Sequence, residues 1–233
     1  MRDRSECAGH RERLRQRFLR SGFSGFAEHE IVELLLTFCL PCKDVKPLAK
    51  ALLKQFGSIR ALVDADTVEL QKVPGMGRVA PVAMRFIKQF AERYFWEKST
   101  TGTENILDHY EALEKFWILR LSGKKREILE VAFLDTHLRL LKEGVMQISD
   151  GVVDRTAVPL RKIVEGALAH NAHAIVMAHN HPSGSALPSD ADCLVTQKVE
   201  KLVTTLGIRF IDHLIIAANE IYSFRKSGLI TKR

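Results

Sequence analysis

The chain of 233 residues has few cysteines, and it lacks low-complexity segments and internal repeats. Its four cysteines include one Cys-x-x-Cys pair, Cys39 and Cys42, without the second pair that a four-cysteine structural zinc site needs. The pair follows a helical pattern, whereas a thioredoxin-like redox pair follows a strand. We therefore interpret the cysteines as ordinary reduced thiols.

Long apolar runs are also missing. No run reaches the roughly 18–20 residues that a membrane-spanning helix needs. The first six residues include two arginines and no apolar core, so we expect no secretory signal, no membrane partner and a cytoplasmic location. A hydrophobic fraction of 46% beside 27% charged residues argues against a disordered chain. The length of 233 residues suits one large or two modest domains.

Positive charge is concentrated in the first part of the chain. Residues 1–103 carry 18 basic and 12 acidic residues, whereas residues 104–233 carry 17 and 16. Much of the excess comes from arginines of the first predicted helix: Arg11, Arg13, Arg15, Arg17 and Arg20. A local basic excess is what a DNA contact surface requires, but a solvated helix face has the same pattern, so both interpretations stay open.

The hydrophobic pattern changes near residue 100 and predicts two domains. Residues 1–96 show only helices and turns, 97–104 are a polar linker, and 105–230 alternate strands with helices. The predicted strands span 128–134, 138–147, 174–179, 208–217 and 220–224, and the predicted helices span 105–121, 159–169 and 189–206. We therefore expect an all-α domain followed by a mixed α/β domain.

A glycine-containing turn at residues 73–77 resembles the hairpin of a helix-hairpin-helix unit. Gly75 and Gly77 would let the backbone approach a phosphate, and the next helix would offer unpaired N–H groups at its N-terminus. Arg78 would add a cation, although Val79 stands where such units often carry a lysine. DNA contact without base reading and a purely structural turn are both compatible with this pattern.

The strongest chemical signal follows the apolar run 174–178. His179 and His181 are two residues apart on a predicted strand, so both imidazoles can face one ion. A helix begins at Ser189, and Asp192 in its first turn can supply a third, anionic ligand. Two imidazoles and one carboxylate leave a fourth position for water, which is typical of catalytic zinc. The pattern therefore predicts a metal-activated water.

The spacing of these residues resembles the metal motif of the JAB1/MPN/Mov34 (JAMM) metalloenzymes. Nearly the whole chain resembles the RadC-like branch of that family, once described as DNA-repair proteins. The segments that carry this resemblance are Val45–Ala49, Phe133–Asp135, Ala178–Gly184, Leu206–Leu214 and Ile221–Phe224. The resemblance implies a JAMM α/β core, a mixed sheet flanked by helices, with zinc held by His179, His181 and Asp192.

A JAMM hydrolase also needs a glutamate as general acid and base, and the resemblance assigns this role to Glu127. Glu130 and Glu143 are rivals, but Glu130 would lie on the opposite face of its strand, and Glu143 is interpreted as a strand-end charge. The resemblance also implies that Ser189 steadies the oxyanion. The segment Ser189 to Asp192 equally fits a helix cap, and the two roles are compatible.

Several other histidines and one carboxylate are candidates of lower rank. Asp190 could replace Asp192 as a ligand, although the motif spacing favours Asp192. His170, His173 and His213 are nearby in sequence or motif, and we expect them to be satisfied or exposed histidines. Eight-stranded barrel hydrolases are excluded because their barrel alone needs about 250 residues.

Three functions follow as hypotheses. The first is a zinc hydrolase that cuts an amide or isopeptide bond in a protein or peptide substrate. The second is a DNA-associated repair or recombination accessory protein whose metal domain serves as a binding module. The third is a nuclease that uses the same ion on phosphodiesters. Family resemblance does not choose among them, because a fold does not determine a function.

Overall fold

A computed structural model describes residues 4–41, 43–100, 110–150, 158–218 and 220–230 of the chain. The chain divides into two compact units, residues 1–90 and 91–233. In the described ranges, no helix is both long enough and apolar enough to span a membrane. Cys42 lies outside these ranges, so the Cys39–Cys42 pair is described only at Cys39. There, burial raises the pKa of the thiol, which disfavours a reactive thiolate.

The first unit is helical, as its sequence predicts. Its helices are α1 (Arg4–Ser21), α2 (Glu28–Cys39), α3 (Lys46–Phe56), α4 (Ile59–Asp64), α5 (Thr67–Gln71) and the first part of α6 (Val79–Thr100). Buried apolar side chains such as Leu36, Leu52 and Met84 form one cluster between these helices. α3 ends at Gly57, whose φ of +82° suits a residue without a Cβ atom.

The helical structure continues beyond residue 96, the predicted end of the first domain. α6 continues to Thr100 and includes the first half of the predicted linker 97–104. Glu97 and Lys98 are exposed in this segment, and both residue types are good helix formers. The rest of the linker lies outside the described residues, and the predicted domain bounds stay a prediction.

The second unit is a mixed α/β fold, which confirms the predicted fold class. Its elements are α7 (Tyr110–Leu121), β1 (Ile128–Leu134), β2 (Leu140–Asp150), α8 (Leu160–Ala169), β3 (Ala174–Asn180), α9 (Asp190–Thr205), β4 (Arg209–Ala217) and β5 (Glu220–Ser223). The five strands form one sheet in the order β2-β1-β3-β4-β5. β3 and β4 are parallel, and the other neighbouring pairs are antiparallel.

Both faces of the sheet are covered, and strand periodicity decides which residues face which helix. Ala174, Val176 and Ala178 of β3 pack with α7, whereas Ile175 and Met177 pack with α8 and α9. Because side chains alternate along a strand, His179 continues the α8 and α9 face. The end of β3 therefore places the polar side chain of His179 next to the start of α9.

The second strand spans Leu140–Asp150, so it begins and ends farther along the sequence than the predicted strand 138–147. The cause is a turn organised by Asp135, whose carboxylate accepts hydrogen bonds from the backbone N–H groups of His137 (2.8 Å) and Arg139 (2.9 Å). Leu138 adopts a φ of +59° within this turn. The carboxylate therefore holds residues 137–139 in a turn and delays the strand.

Candidate metal centre

Four side chains of the second unit meet at one end of the sheet: Glu127, His179, His181 and Asp192. One ligand atom from each lies within 4.8 Å of those of the other three. The cluster contains all three predicted metal ligands and the glutamate predicted as acid and base. Their convergence is an observation, whereas their roles as ligands and base stay a prediction.

Strand pairing brings Glu127 to the cluster. β1 and β3 are antiparallel, with Leu129 opposite His179. Glu127 comes directly before β1 and has the same parity as Leu129, so it lies on the face of the sheet that carries His179. The rival Glu130 has the opposite parity, and Arg120 forms an ion pair with its buried carboxylate. The parity argument from sequence is thereby consistent with the structure.

The other two rival carboxylates also lie outside the cluster. Glu143 is exposed on β2 and adopts a φ of +55°. Asp190 is exposed at the first position of α9. Among the described residues, only the group that includes Glu127 and Asp192 could hold a metal ion.

His181 is oriented by two backbone carbonyl groups. The backbone N–H of His181 donates to the carbonyl of Ile216 (2.9 Å), and the ring atom Nδ1 lies 2.8 Å from the carbonyl oxygen of Ser185. A carbonyl oxygen can only accept, so Nδ1 carries the proton. The Nε2 atom of His181 is therefore directed into the cluster. The hydrogen bond with Asp192 raises the pKa of this imidazole, and burial opposes the rise.

His179 is almost fully buried and is oriented by another histidine. Its Nδ1 lies 2.8 Å from Nε2 of His213, and Nδ1 of His213 lies 2.6 Å from the hydroxyl of Thr196. Burial strongly lowers the pKa of His213, which keeps that imidazole neutral. The expectation that His213 is satisfied is correct, but its position against His179 was not predicted.

Asp192 is held by the N-terminus of α9. Ser189 caps the helix: its hydroxyl donates to Oδ2 of Asp192 (2.6 Å) and accepts from the Asp192 N–H (3.2 Å). The N–H of Ser189 also donates to Oδ2 (2.7 Å). The predicted capping role of Ser189 is present, and its predicted oxyanion role stays a prediction. Burial opposes ionisation of Asp192, but contacts with His179, His181 and Ser189 hold its pKa far below the usual range.

The distances within the cluster suit a cation. Nε2 of His179 and Nε2 of His181 face each other at 2.9 Å, and they lie 3.2 and 3.4 Å from the two carboxylate oxygens of Asp192. Two ring nitrogens at this separation cannot both carry a proton. Their lone pairs and the carboxylate therefore require a proton or a metal ion between them, and a set of two nitrogens and one oxygen suits a transition metal.

Asn180 is a site residue that sequence reasoning missed. Its Oδ1 accepts from the N–H of Ile128 (2.9 Å), and its Nδ2 donates to the carbonyl groups of Arg126 (3.0 Å) and Lys124 (3.3 Å). These three residues flank Glu127. The side chain between the two histidines thus fixes the segment that carries the candidate base. A polar residue at the buried end of an apolar strand was the available signal.

Comparison with known proteins agrees with this geometry. The model of the RadC-like JAB domain matches residues 107–229. The chain belongs to the RadC-like JAB domain family. A UPF0758 protein from Fusobacterium nucleatum is 34% identical over 240 residues, which cover 95% of this chain and 97% of that protein. The UPF0758 N-terminal model matches residues 8–82. The family resemblance predicted from the motif spacing is confirmed.

The N-terminal unit of this RadC-like chain contains the predicted glycine turn. Val73 and Met76 are buried and anchor the turn, while Gly75, Gly77 and Arg78 are exposed before α6 begins. The two glycines have φ values of +92° and +62°, which most other residues adopt only with strain. Backbone conformation alone thus accounts for both glycines, and DNA contact at this turn stays a prediction.

Arg11, Arg15 and Arg17 of α1 make contacts with other parts of the helical unit. The Arg15 guanidinium lies 5.4 Å from the centroid of the Phe38 ring. Arg11 donates to the carbonyl of Leu40 (2.9 Å) at the end of α2 and also contacts the carbonyl of Lys43. Arg17 forms an ion pair with Glu30 (2.6 Å) and lies over the ring of Phe26. These side chains stabilise the fold of the unit, so they contribute less to a free basic surface than their number in the sequence indicates.

Proposed function

We propose that this protein is a zinc-dependent hydrolase of the metallopeptidase or isopeptidase type. The observation that carries the proposal is the convergence of two imidazole nitrogens, one carboxylate and the Glu127 carboxyl group within 4.8 Å. The two Nε2 atoms lie 2.9 Å apart and 3.2 and 3.4 Å from the two carboxylate oxygens of Asp192, near the separation of about 3.3 Å expected between two ligands of a tetrahedral zinc ion. His179, His181 and Asp192 would hold the ion.

Zinc would supply a Lewis acid and lower the pKa of a water molecule in the site. The chain supplies the proton transfer. Glu127 is half-buried at the edge of the cluster, where its carboxylate can accept a proton and pass it to the nitrogen of a leaving amine. Ser189 holds Asp192 through its hydroxyl, which would have to turn away from Oδ2 of Asp192 to donate its single proton to a developing oxyanion. Asn180 keeps the Glu127 segment in register with the two histidines.

The substitution Glu127→Gln tests the hydrolase, with Glu143→Gln as the matched control. Glu143 is an exposed glutamate of the same unit outside the cluster. Both variants should retain zinc, and only Glu127→Gln should lose cleavage by about a hundredfold or more in a mass-spectrometric screen of linear and isopeptide-linked peptides. Equal cleavage by Glu127→Gln and the wild type would show that Glu127 is not the base. Cleavage of DNA but of no peptide would favour the nuclease instead.

DNA association of the N-terminal unit is the second candidate function. The exposed turn at Gly75 to Arg78 precedes the long helix α6, so its backbone is accessible to a phosphate group. We propose this contact only as a sequence-independent one. Binding of the full chain to duplex DNA should weaken steeply with salt, and absence of binding at low salt would contradict it.

A further inference from the structure

His213 is buried to 1% exposure in β4, yet it takes part in no step of the proposed reaction. Its ring stacks on Phe224 with an interplanar angle of 12°, and its backbone N–H donates to the carboxylate of Asp212 (2.7 Å). The ring is therefore fixed in orientation as well as in position. Both of its nitrogens have a polar partner: Nε2 contacts His179, and Nδ1 contacts Thr196.

Hydrogen bonds link His179, His213, Thr196 and the Asp192 carbonyl group in series, and the direction of each bond follows from that carbonyl group. The Thr196 hydroxyl lies 2.6 Å from the carbonyl oxygen of Asp192, which can only accept. Thr196 therefore uses its single proton there and must accept from Nδ1–H of His213. Nε2 of the neutral His213 is then an acceptor, and it takes the Nδ1–H of His179. The remaining nitrogen of His179, Nε2, is left with its lone pair directed at the cluster.

The chain of hydrogen bonds also joins two elements that carry site residues. His179 is the next-to-last residue of β3, and Asp192 and Thr196 lie one turn apart on α9. His213 of β4 connects them, and the ring of contacts His179–His213–Thr196–Asp192 closes where Oδ1 of Asp192 lies 3.2 Å from Nε2 of His179. A residue at position 213 that could fill the space but not accept a hydrogen bond would leave the buried Nδ1–H of His179 without a partner.

We propose that His213, supported by Thr196, is a positioning residue that holds His179 in the tautomer that binds the metal ion. The inference rests on the proposed metal site and adds a residue to it. Hydrogen bonds of this kind to the far nitrogen of a metal-binding histidine raise its basicity and fix its ring, and their loss typically weakens metal binding by about 10- to 100-fold.

The experiment measures Zn²⁺ affinity of the full-length chain by competition with a chelator, together with the visible spectrum of the Co²⁺ form. His213→Phe should weaken Zn²⁺ binding by about 10- to 100-fold. His213→Gln, which can present an oxygen to Nδ1–H of His179, should weaken it less. His170→Phe is the control, since that half-buried histidine stacks on Phe133 outside the cluster.

A second pair of variants tests the direction of the hydrogen bonds and applies even if His213→Phe fails to fold. Thr196→Val removes the acceptor for Nδ1–H of His213 while keeping the shape of the side chain. This substitution allows His213 to donate from Nε2–H to Nδ1 of His179. It would thereby favour the His179 tautomer that carries its proton on Nε2, which does not suit metal binding at that atom. Thr196→Ser should retain the affinity of the wild type. Side-chain ¹⁵N NMR of the zinc form should place the proton of His179 on Nδ1.

The outcomes separate this inference from the proposed function. Wild-type affinity in folded His213→Phe or in Thr196→Val, or a proton of His179 on Nε2, would overturn the positioning role and leave the metal site intact. A wild-type protein that binds neither Zn²⁺ nor Co²⁺ would overturn the metal site, and the positioning role with it. Weakened binding in His213→Phe and Thr196→Val, restored in Thr196→Ser, would support the inference.

Discussion

The two units of the chain differ in the polar side chains that they bury. Among the described residues, the helical unit buries Glu33 and Thr37, and each has a nearby structural partner. Oε1 of Glu33 lies 2.8 Å from Nε2 of His10, whereas its buried Oε2 has no hydrogen-bond partner among the described residues. The Thr37 hydroxyl donates to the carbonyl of Leu34 one turn earlier (2.7 Å). Pairs of this kind offset the cost of burial and do not point to a ligand.

The sheet unit buries a larger polar set, and several members hydrogen-bond to each other around one end of β3. That set comprises Ser122, Glu130, His179, Asn180, Thr196, Asp212, His213 and Ser223. Because an unpaired buried polar group is costly, such a network persists only where every donor and acceptor is matched. In this protein, a group of buried polar side chains that hydrogen-bond to one another marks the candidate chemical site more clearly than surface charge does.

The largest expected effect is the loss of metal binding in Asp192→Ala. Removal of one of three protein ligands should weaken Zn²⁺ binding roughly a thousandfold, measured by chelator competition. Asp190→Ala is the matched control, because it removes the exposed carboxylate two residues earlier on the same helix turn. If Asp190→Ala loses the metal ion and Asp192→Ala retains it, the ligand assignment is wrong.

The next effect concerns the pH dependence of stability. Burial raises the pKa of Asp212 to about 6, although Ser223, Arg225 and the His213 N–H oppose the rise. The native state therefore holds its proton more tightly than the unfolded chain does. The stabilisation is complete below the ordinary aspartate pKa of 3.8 and is lost as the pH rises through the folded-state pKa of about 6.

The total loss across this range amounts to about 3 kcal/mol. Urea unfolding between pH 4 and pH 7 should show it in the wild type, while Asp212→Asn, which cannot ionise, should lack this component. The Tyr110 hydroxyl also contacts this carboxyl group, so Tyr110→Phe serves as a second comparison. Parallel pH curves for the wild type and Asp212→Asn would contradict the prediction.

A smaller effect is expected in the helical unit. Arg11→Ala should lower the free energy of unfolding by about 2 kcal/mol, because it removes charged hydrogen bonds to carbonyl groups at the end of α2. Arg13→Ala, an exposed arginine on the same helix, should leave stability nearly unchanged. Thermal unfolding of the two variants measures the difference. An equal effect of both would mean that Arg11 is not a structural residue.

The smallest effect tests the glycine turn. If the turn contacts DNA, Arg78→Ala should weaken binding by about 1 kcal/mol and reduce the slope of affinity against salt by roughly one, equally for unrelated sequences. Fluorescence anisotropy with two duplexes of different sequence measures both quantities. An unchanged slope would leave the turn as a structural element, and the contrast between the two units would become sharper.

Local sequence patterns determined much of the secondary structure and the composition of the candidate site. The alternation and apolar runs of residues 105–230 predicted the strands, and the spacing of His179, His181 and Asp192 predicted three members of the cluster. Both signals are local, because a strand has a period of two residues and a helix cap spans one turn. The delayed start of β2 was missed, because the Asp135 turn competes with strand formation.

Tertiary structure decided which distant residues serve the cluster. The pairing of Leu129 with His179 brings Glu127 to the metal ligands, while Arg120 engages Glu130 on the other face. Parallel pairing of β3 with β4 brings His213 against His179 across 34 positions of sequence. Such contacts depend on strand order and register, which local spacing does not encode. The sequence alone determined the ligand motif, and the packed sheet decided what orients it.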